Sequence, residues 1–204
     1  MIKKYLSKIT RNLITYIKFK NNTLNFYHFP VNKNIKLIVL ENDITFRTIT
    51  SETEYESFCN FYSIPFNKNY KERFNSKSIF AVLVNKIDYV SYGWLVSNLI
   101  GFPIDEINVY ISITYNTYVL FDFHTNIRFR NRKFYQLLLN QIIYSFKGFD
   151  LIIYVLLNNL PSDRAICKSG FDFVGISKFN RIDFVNLFNL RNVKIKQTRI
   201  KSKI

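Results

Sequence analysis

A chain of 204 residues with 48% hydrophobic content can form one domain and bury roughly 70% of the surface its unfolded form exposes. Its net charge of +15 implies an anionic partner such as a phosphorylated cofactor, nucleic acid or an acidic membrane surface. Five scattered glycines, two distant cysteines and two histidines leave no dinucleotide fingerprint, Walker loop, hydrolase elbow, disulfide framework or zinc-ligand spacing.

Much of the charge lies at the ends. Lys3, Lys4, Lys8, Arg11, Lys18, Lys20, Lys33 and Lys36 precede the first acid, Glu41, and no acid follows Asp183. In residues 1–20, Ile2, Leu6, Ile9, Leu13 and Tyr16 recur near helical spacing among the cations, which suits a basic amphipathic helix on an anionic membrane or on its own domain. Lys8 and Arg11 interrupt any secretion signal, and no apolar run reaches the length of a membrane span. A cytoplasmic protein, with peripheral membrane contact open, is the expectation. Lys36–Leu40 reads as a short strand closing an extension over 1–40, ahead of a domain over 41–190 and a basic tail over 191–204.

Ser51 stands as an N-cap with Glu54 three residues on, so 51–62 reads as a helix, ended by Ile64-Pro65. Residues 67–75 suit a second short helix. Ile79–Val84 and Tyr89–Ser97 form a hairpin around a polar turn. Ile107–Thr114 and Thr117–His124 read as a second hairpin. Leu151–Leu157 is apolar throughout, as in a strand buried on both faces. A short helix after Pro161-Ser162 stops at Gly170, and Phe171–Ser177 and Arg181–Leu187 close the sheet. The fold class is α/β (α+β), a single domain with a mixed central sheet.

The stretch Tyr118–Gln141 organises the rest. Val119, Phe121 and Phe123 alternate with Tyr118, Leu120, Asp122 and His124. A loop holding Arg128, Arg130, Arg132 and Lys133 follows, and Phe134, Leu137, Leu138 and Ile142 then recur at helical spacing. Unpaired amides and the macrodipole make the start of that helix an anion site.

These pieces, with IFAVLVNKIDYVSYGWL (79–95) before them and NNLPSDRAICKSGFDFVG (158–175) after, resemble the GNAT superfamily of acyl-CoA-dependent N-acyltransferases. The resemblance covers about Glu41 to Phe188. It implies a sheet flanked by helices and splayed open at the strand ending in His124-Thr125. It also implies acetyl-CoA or another acyl-CoA as co-substrate, with Phe123 and Thr125 lining the pantetheine arm. Arg130, Asn131, Arg132, Lys133, Phe134 and Tyr135 would cradle the pyrophosphate, and Asn159 would contact the pantetheine. Lys133 and Tyr135 replace the motif's glycine and its second small residue. Ile166 stands where such proteins often carry a general-acid tyrosine, and Val119 falls near the usual base.

Asp122 and His124, on one face of that strand beside the expected acyl site, are the candidate catalytic residues, to bind the acceptor's ammonium or relay its proton; the alternative is a hydrogen-bonded pair that holds the strand end. Ser162 reads as a helix cap, Cys167 as a buried cysteine, and Tyr92 and Trp94 as pocket wall or core. A small-molecule amine or amino sugar is the expected acceptor, with a peptide N-terminus and a lysine side chain also open, and a homodimer is compatible with the resemblance. The alternative is a degenerate acyl-CoA-binding adaptor held at an anionic membrane or nucleic acid by its basic ends, although no recognition-helix or stacking motif favours nucleic acid. No metal is expected.

Overall fold

The computed structural model describes residues 22–41, 43–97, 102–104, 106, 109–111, 116–178, 181–184 and 198–199. The amphipathic helix expected over 1–20, the end of the closing strand and most of the tail lie outside them. The first element is one the sequence reading passed over. Strand β1, Thr23–Phe29, is buried almost throughout, and its two polar residues with inward positions find distant partners. The His28 imidazole Nε2 lies 2.9 Å from Asp150 Oδ1, and Asn25 Nδ2 donates to Asp163 Oδ1 at 2.9 Å. Lys36–Leu40 is not a strand. It is extended chain fastened across a helix, where Ile38 N–H donates to Asn140 Oδ1 and the Asn140 and Gln141 amides donate to the carbonyls of Lys36 and Ile38.

Strand β2 is Thr45–Ile49, and helix α1, Glu52–Tyr62, starts as read: Glu54 N–H donates to Ser51 Oγ at 3.3 Å. Ser63 at φ +52 ends it, ahead of the short helix α2, Tyr70–Asn75. Strands β3, Ile79–Val84, and β4, Tyr89–Ser97, form the expected hairpin. Among the described residues the second expected hairpin is not formed. Strand β5, Phe102–Ile104, pairs with β6, Val109–Ile111, in a small separate sheet, so β6 has no ladder with β7, Thr117–Thr125.

Helix α3, Phe134–Ser145, then β8, Asp150–Leu156, α4, Leu160–Lys168, β9, Asp172–Lys178, and β10, Arg181–Phe184, complete the layers, with β11, Thr198–Arg199, pairing with β6. The main sheet has the order β10-β9-β1-β8-β7-β4-β3-β2, all antiparallel except β7 beside β8. Two apolar clusters cover its faces. One joins Tyr55, Phe58, Phe80, Trp94, Val119 and Phe121 with α1 and α2, and the other joins Leu95, Leu120, Ile153 and Ile166 with α3 and α4. No helix among the described residues is long and apolar enough to cross a membrane.

Candidate functional site

Strands β7 and β8 run paired only from Thr117–Asp150 to Leu120–Ile153. Beyond that step they part. Phe121 and Tyr154, the next residues of each, carry rings packed on Phe102 and Phe26, at centroid distances of 5.0 and 5.6 Å. Among the described residues, no strand pairs with the main chain of β7 from Phe121 onward on its β8 side.

A bulge falls at the same place. The β4–β7 register passes from Trp94–Phe121 to Tyr92–His124, so Asp122 and Phe123 together oppose Gly93. Asp122 takes the left-handed conformation, φ +52, which aspartate tolerates better than most residues. The extra residue reverses the alternation after it. Phe123 joins the face of Leu120, and its ring lies over Gly93, where an added Cβ would stand 2.3 Å from it. His124 moves to the face of Phe121, with its ring 5.4 Å from Tyr92 and 6.0 Å from Tyr89. Simple alternation along 118–124 pairs Asp122 with His124 and sets Phe123 beside Phe121. The bulge corrects the placement of Phe123 and His124.

Asp122 is already engaged. It accepts from Arg73 Nη1 at 2.7 Å and Asn67 Nδ2 at 3.0 Å, two partners that nothing in the pattern of 67–75 beyond its polarity signalled. His124 is less committed. Its Nδ1 is buried without a hydrogen bond, and its pKa lies below 6.5 because burial disfavours the imidazolium and the Arg130 cation repels it, against a smaller opposing pull from Asp122. Its surroundings therefore favour the neutral ring.

After Thr125 the chain makes one turn of 3-10 helix, Ile127–Phe129, capped by Asn126, and then two left-handed residues, Asn131 and Lys133, both at φ +62. Lys133 occupies the motif's glycine position and adopts the backbone a glycine would take without strain. The first intrahelical bond of α3 runs from Leu137 N–H to Lys133 O, so the amides of Phe134, Tyr135 and Gln136 precede it. The four cations divide. Arg128 pairs with Asp88 at 3.2 Å, Arg130 Nε donates to the Thr125 carbonyl at 3.2 Å, and the Arg132 guanidinium lies over the rings of Phe129 and Phe134. Lys133 is exposed, with no side-chain partner among the described residues.

Helix α4 supplies the other wall. Asn159, not Ser162, is its N-cap, accepting from Ser162 N–H at 3.4 Å. Ile166 is fully buried in the core, and Cys167, expected inside, is exposed. Between these elements lies a cleft of about 550 Å³ lined by Phe123, His124, Thr125, Arg130, Asn131, Lys133, Phe134, Tyr135 and Asn159, among others. Of the expected site residues, Asp122 and Arg132 do not line it. Asp122 lines a second cavity, of about 390 Å³, on the α1–α2 face.

No family model and no curated protein matches the chain. Solved structures do. An acetyltransferase from the GNAT family of Colwellia psychrerythraea aligns with a TM-score of 0.50 at 18% identity, over 76% of this chain and 53% of that one. A GCN5-related N-acetyltransferase from Sphaerobacter thermophilus aligns at 0.50 and 12%, over 82% and 54%. A Drosophila protein aligns at 0.51 and 10%, over 83% and 55%. The chain has the GNAT fold. It spans little more than half the length of these structures, and at such identities the likeness concerns the fold alone. Within the GNAT fold, the parting of β7 from β8 and the bulge at Asp122 are where the sheet opens towards the cleft.

Proposed function

We propose that the chain is an acyl-CoA-dependent N-acyltransferase, acetyl-CoA being the simplest donor, acting on a primary amine by direct attack in a ternary complex. The observation that carries this reading is the cleft of about 550 Å³ in which the open end of β7, two left-handed turns and the start of α3 meet. These residues fit the cofactor's chemistry. Three helix-leading amides, a kinked loop that turns its backbone inward and the Lys133 ammonium suit a pyrophosphate, while Phe123, Tyr135 and the Asn159 amide suit a pantetheine arm.

Bound acyl-CoA would supply a thioester whose C–S bond is exchanged for the acceptor's new C–N bond, the sulfur leaving with one of the nitrogen's protons. His124, which lines the cleft, is the residue suited to take the other proton. The unladdered amides of β7 beyond Phe121 are placed to stabilise negative charge on the acyl oxygen. Asp122 serves the acceptor side, held in place by Arg73.

Calorimetric titration with acetyl-CoA and longer acyl-CoAs, followed by a thiol-release assay against an amine panel, tests the proposal. Binding and release are expected. No binding of any acyl-CoA overturns the reading. Binding without release for any amine would favour the acyl-CoA-binding adaptor, to which the burial of Ile166 in place of a general-acid tyrosine already lends some weight.

A further inference from the structure

The second cavity contains a feature that the cofactor cleft does not use. Arg73 projects from α2 with its guanidinium over the rings of Trp94, at 4.8 Å, and Phe121, at 5.0 Å. Its side chain is only 18% exposed, and it forms one hydrogen bond among the described residues, to Asp122 Oδ2. A guanidinium has five N–H donors in a rigid fork, so this one is fixed by stacking and left with donors to spare beside a cavity of about 390 Å³. The Asp122 carboxylate next to it is 44% exposed. Both groups line the cavity, with Phe121 and Tyr154 as aromatic walls.

The end of β7 divides the two cavities. Phe121 and Asp122 line this one, and Phe123, His124 and Thr125 line the cofactor cleft. A molecule seated here would lie beside the opening of the sheet.

We infer that the acceptor is a free amino acid, its carboxylate held by the Arg73 fork and its ammonium directed to Asp122 at the strand opening. This rests on the proposed N-acyl transfer and specifies its acceptor. The surface offers a fixed cation and a fixed anion 2.7 Å apart, a dipole matching the carboxylate and ammonium of one amino acid. A simple amine or an amino sugar would leave the Arg73 donors unanswered. A peptide N-terminus would carry its carboxylate too far away. Glu72 and Glu106 also line the cavity. The product is the N-acyl amino acid.

Trp94 is the chain's one tryptophan and lies directly under Arg73, which gives a readout that needs no turnover. Glycine, L-leucine, L-glutamine and L-lysine are titrated in the presence of free CoA while Trp94 emission is followed. Each is set beside its carboxamide and its decarboxylated amine, with glucosamine as a further probe. Saturable changes are expected for at least one amino acid, with its amide and amine roughly tenfold or more weaker, as the loss of a charged pair implies. Arg73→Gln should erase that difference, and Arg73→Lys should restore only part of it. Acetyl-CoA binding, measured separately by calorimetry, should be unchanged in both variants.

Equal binding of acid, amide and amine, a response to glucosamine alone, or no response to any probe overturns the amino-acid assignment. In each case the N-acyltransferase reading is judged separately: it stands if acetyl-CoA binds and some amine releases the thiol, and it fails if acetyl-CoA does not bind.

Discussion

His124 is held neutral by its surroundings, and the sign of each contribution can be checked. Burial and Arg130 lower its pKa from 6.5, and Asp122 raises it. Arg130→Gln should therefore move the titration up and Asp122→Asn should move it down. Imidazole NMR resolves this readily because the chain has two histidines. A group whose folded pKa is depressed contributes stability that is present above its unfolded pKa and is lost as pH falls through the folded value. If His124 takes the acceptor's proton, kcat/KM should fall on the acid side below 6.5, and His124→Gln should remove that limb. An acid limb unchanged in the variant would assign the proton elsewhere. Lys133 invites a paired test at the same scale. A non-glycine residue at φ +62 is strained, so Lys133→Gly should raise stability by about 1 kcal/mol in thermal unfolding, whereas Lys133→Ala should not. Both remove the ammonium, so both should weaken acetyl-CoA binding about tenfold and flatten its salt dependence. Unchanged affinity in both would remove Lys133 from the phosphate site.

Among the elements, β7 shows how a single residue redirects a strand. Without the bulge, Phe123 would follow Phe121 onto the α1–α2 face. With it, the ring turns over Gly93 towards α3 and packs 5.3 Å from Tyr135. Gly93→Ala would drive a methyl into that ring. A loss of about 1–3 kcal/mol is expected by chemical denaturation, together with weaker acyl-CoA binding because Phe123 lines the cleft. Retention of both would show that the ring can move without cost. Helix α1, the β3–β4 hairpin and the basic loop were legible because local chemistry decides them: a serine cap, a polar turn and apolar periodicity. The bulge was not, since Asp122 fits the alternating pattern as a polar face residue and its left-handed backbone leaves no mark in that pattern. Arg73 was illegible for the same kind of reason. Its meaning comes from Trp94 and Asp122, which are distant in sequence and meet it only in the folded sheet.

At the scale of the molecule, the arrangement depends on β1. Thr23–Phe29 lies between β8 and β9, antiparallel to both, although the chain next enters the sheet at the far edge with β2. Its sequence, TLNFYHF, hides this role because Asn25 and His28 break the apolar run expected of a strand buried on both faces. They are accommodated by Asp163 and Asp150, which are more than a hundred residues away. Tyr27 also donates to Asp163, so the strand fixes the first turn of α4, next to the Asn159 that lines the cofactor cleft. A strand so placed can open only when the whole sheet opens. Native-state hydrogen exchange should find the amides of 24–29 as slow as those of 151–155, and Phe26→Ala should cost about 3–5 kcal/mol because its fully buried ring packs on Tyr154. Exchange at the rate of a surface loop would mean that β1 does not hold the slot between β8 and β9 and that α4 has another anchor beside the cleft.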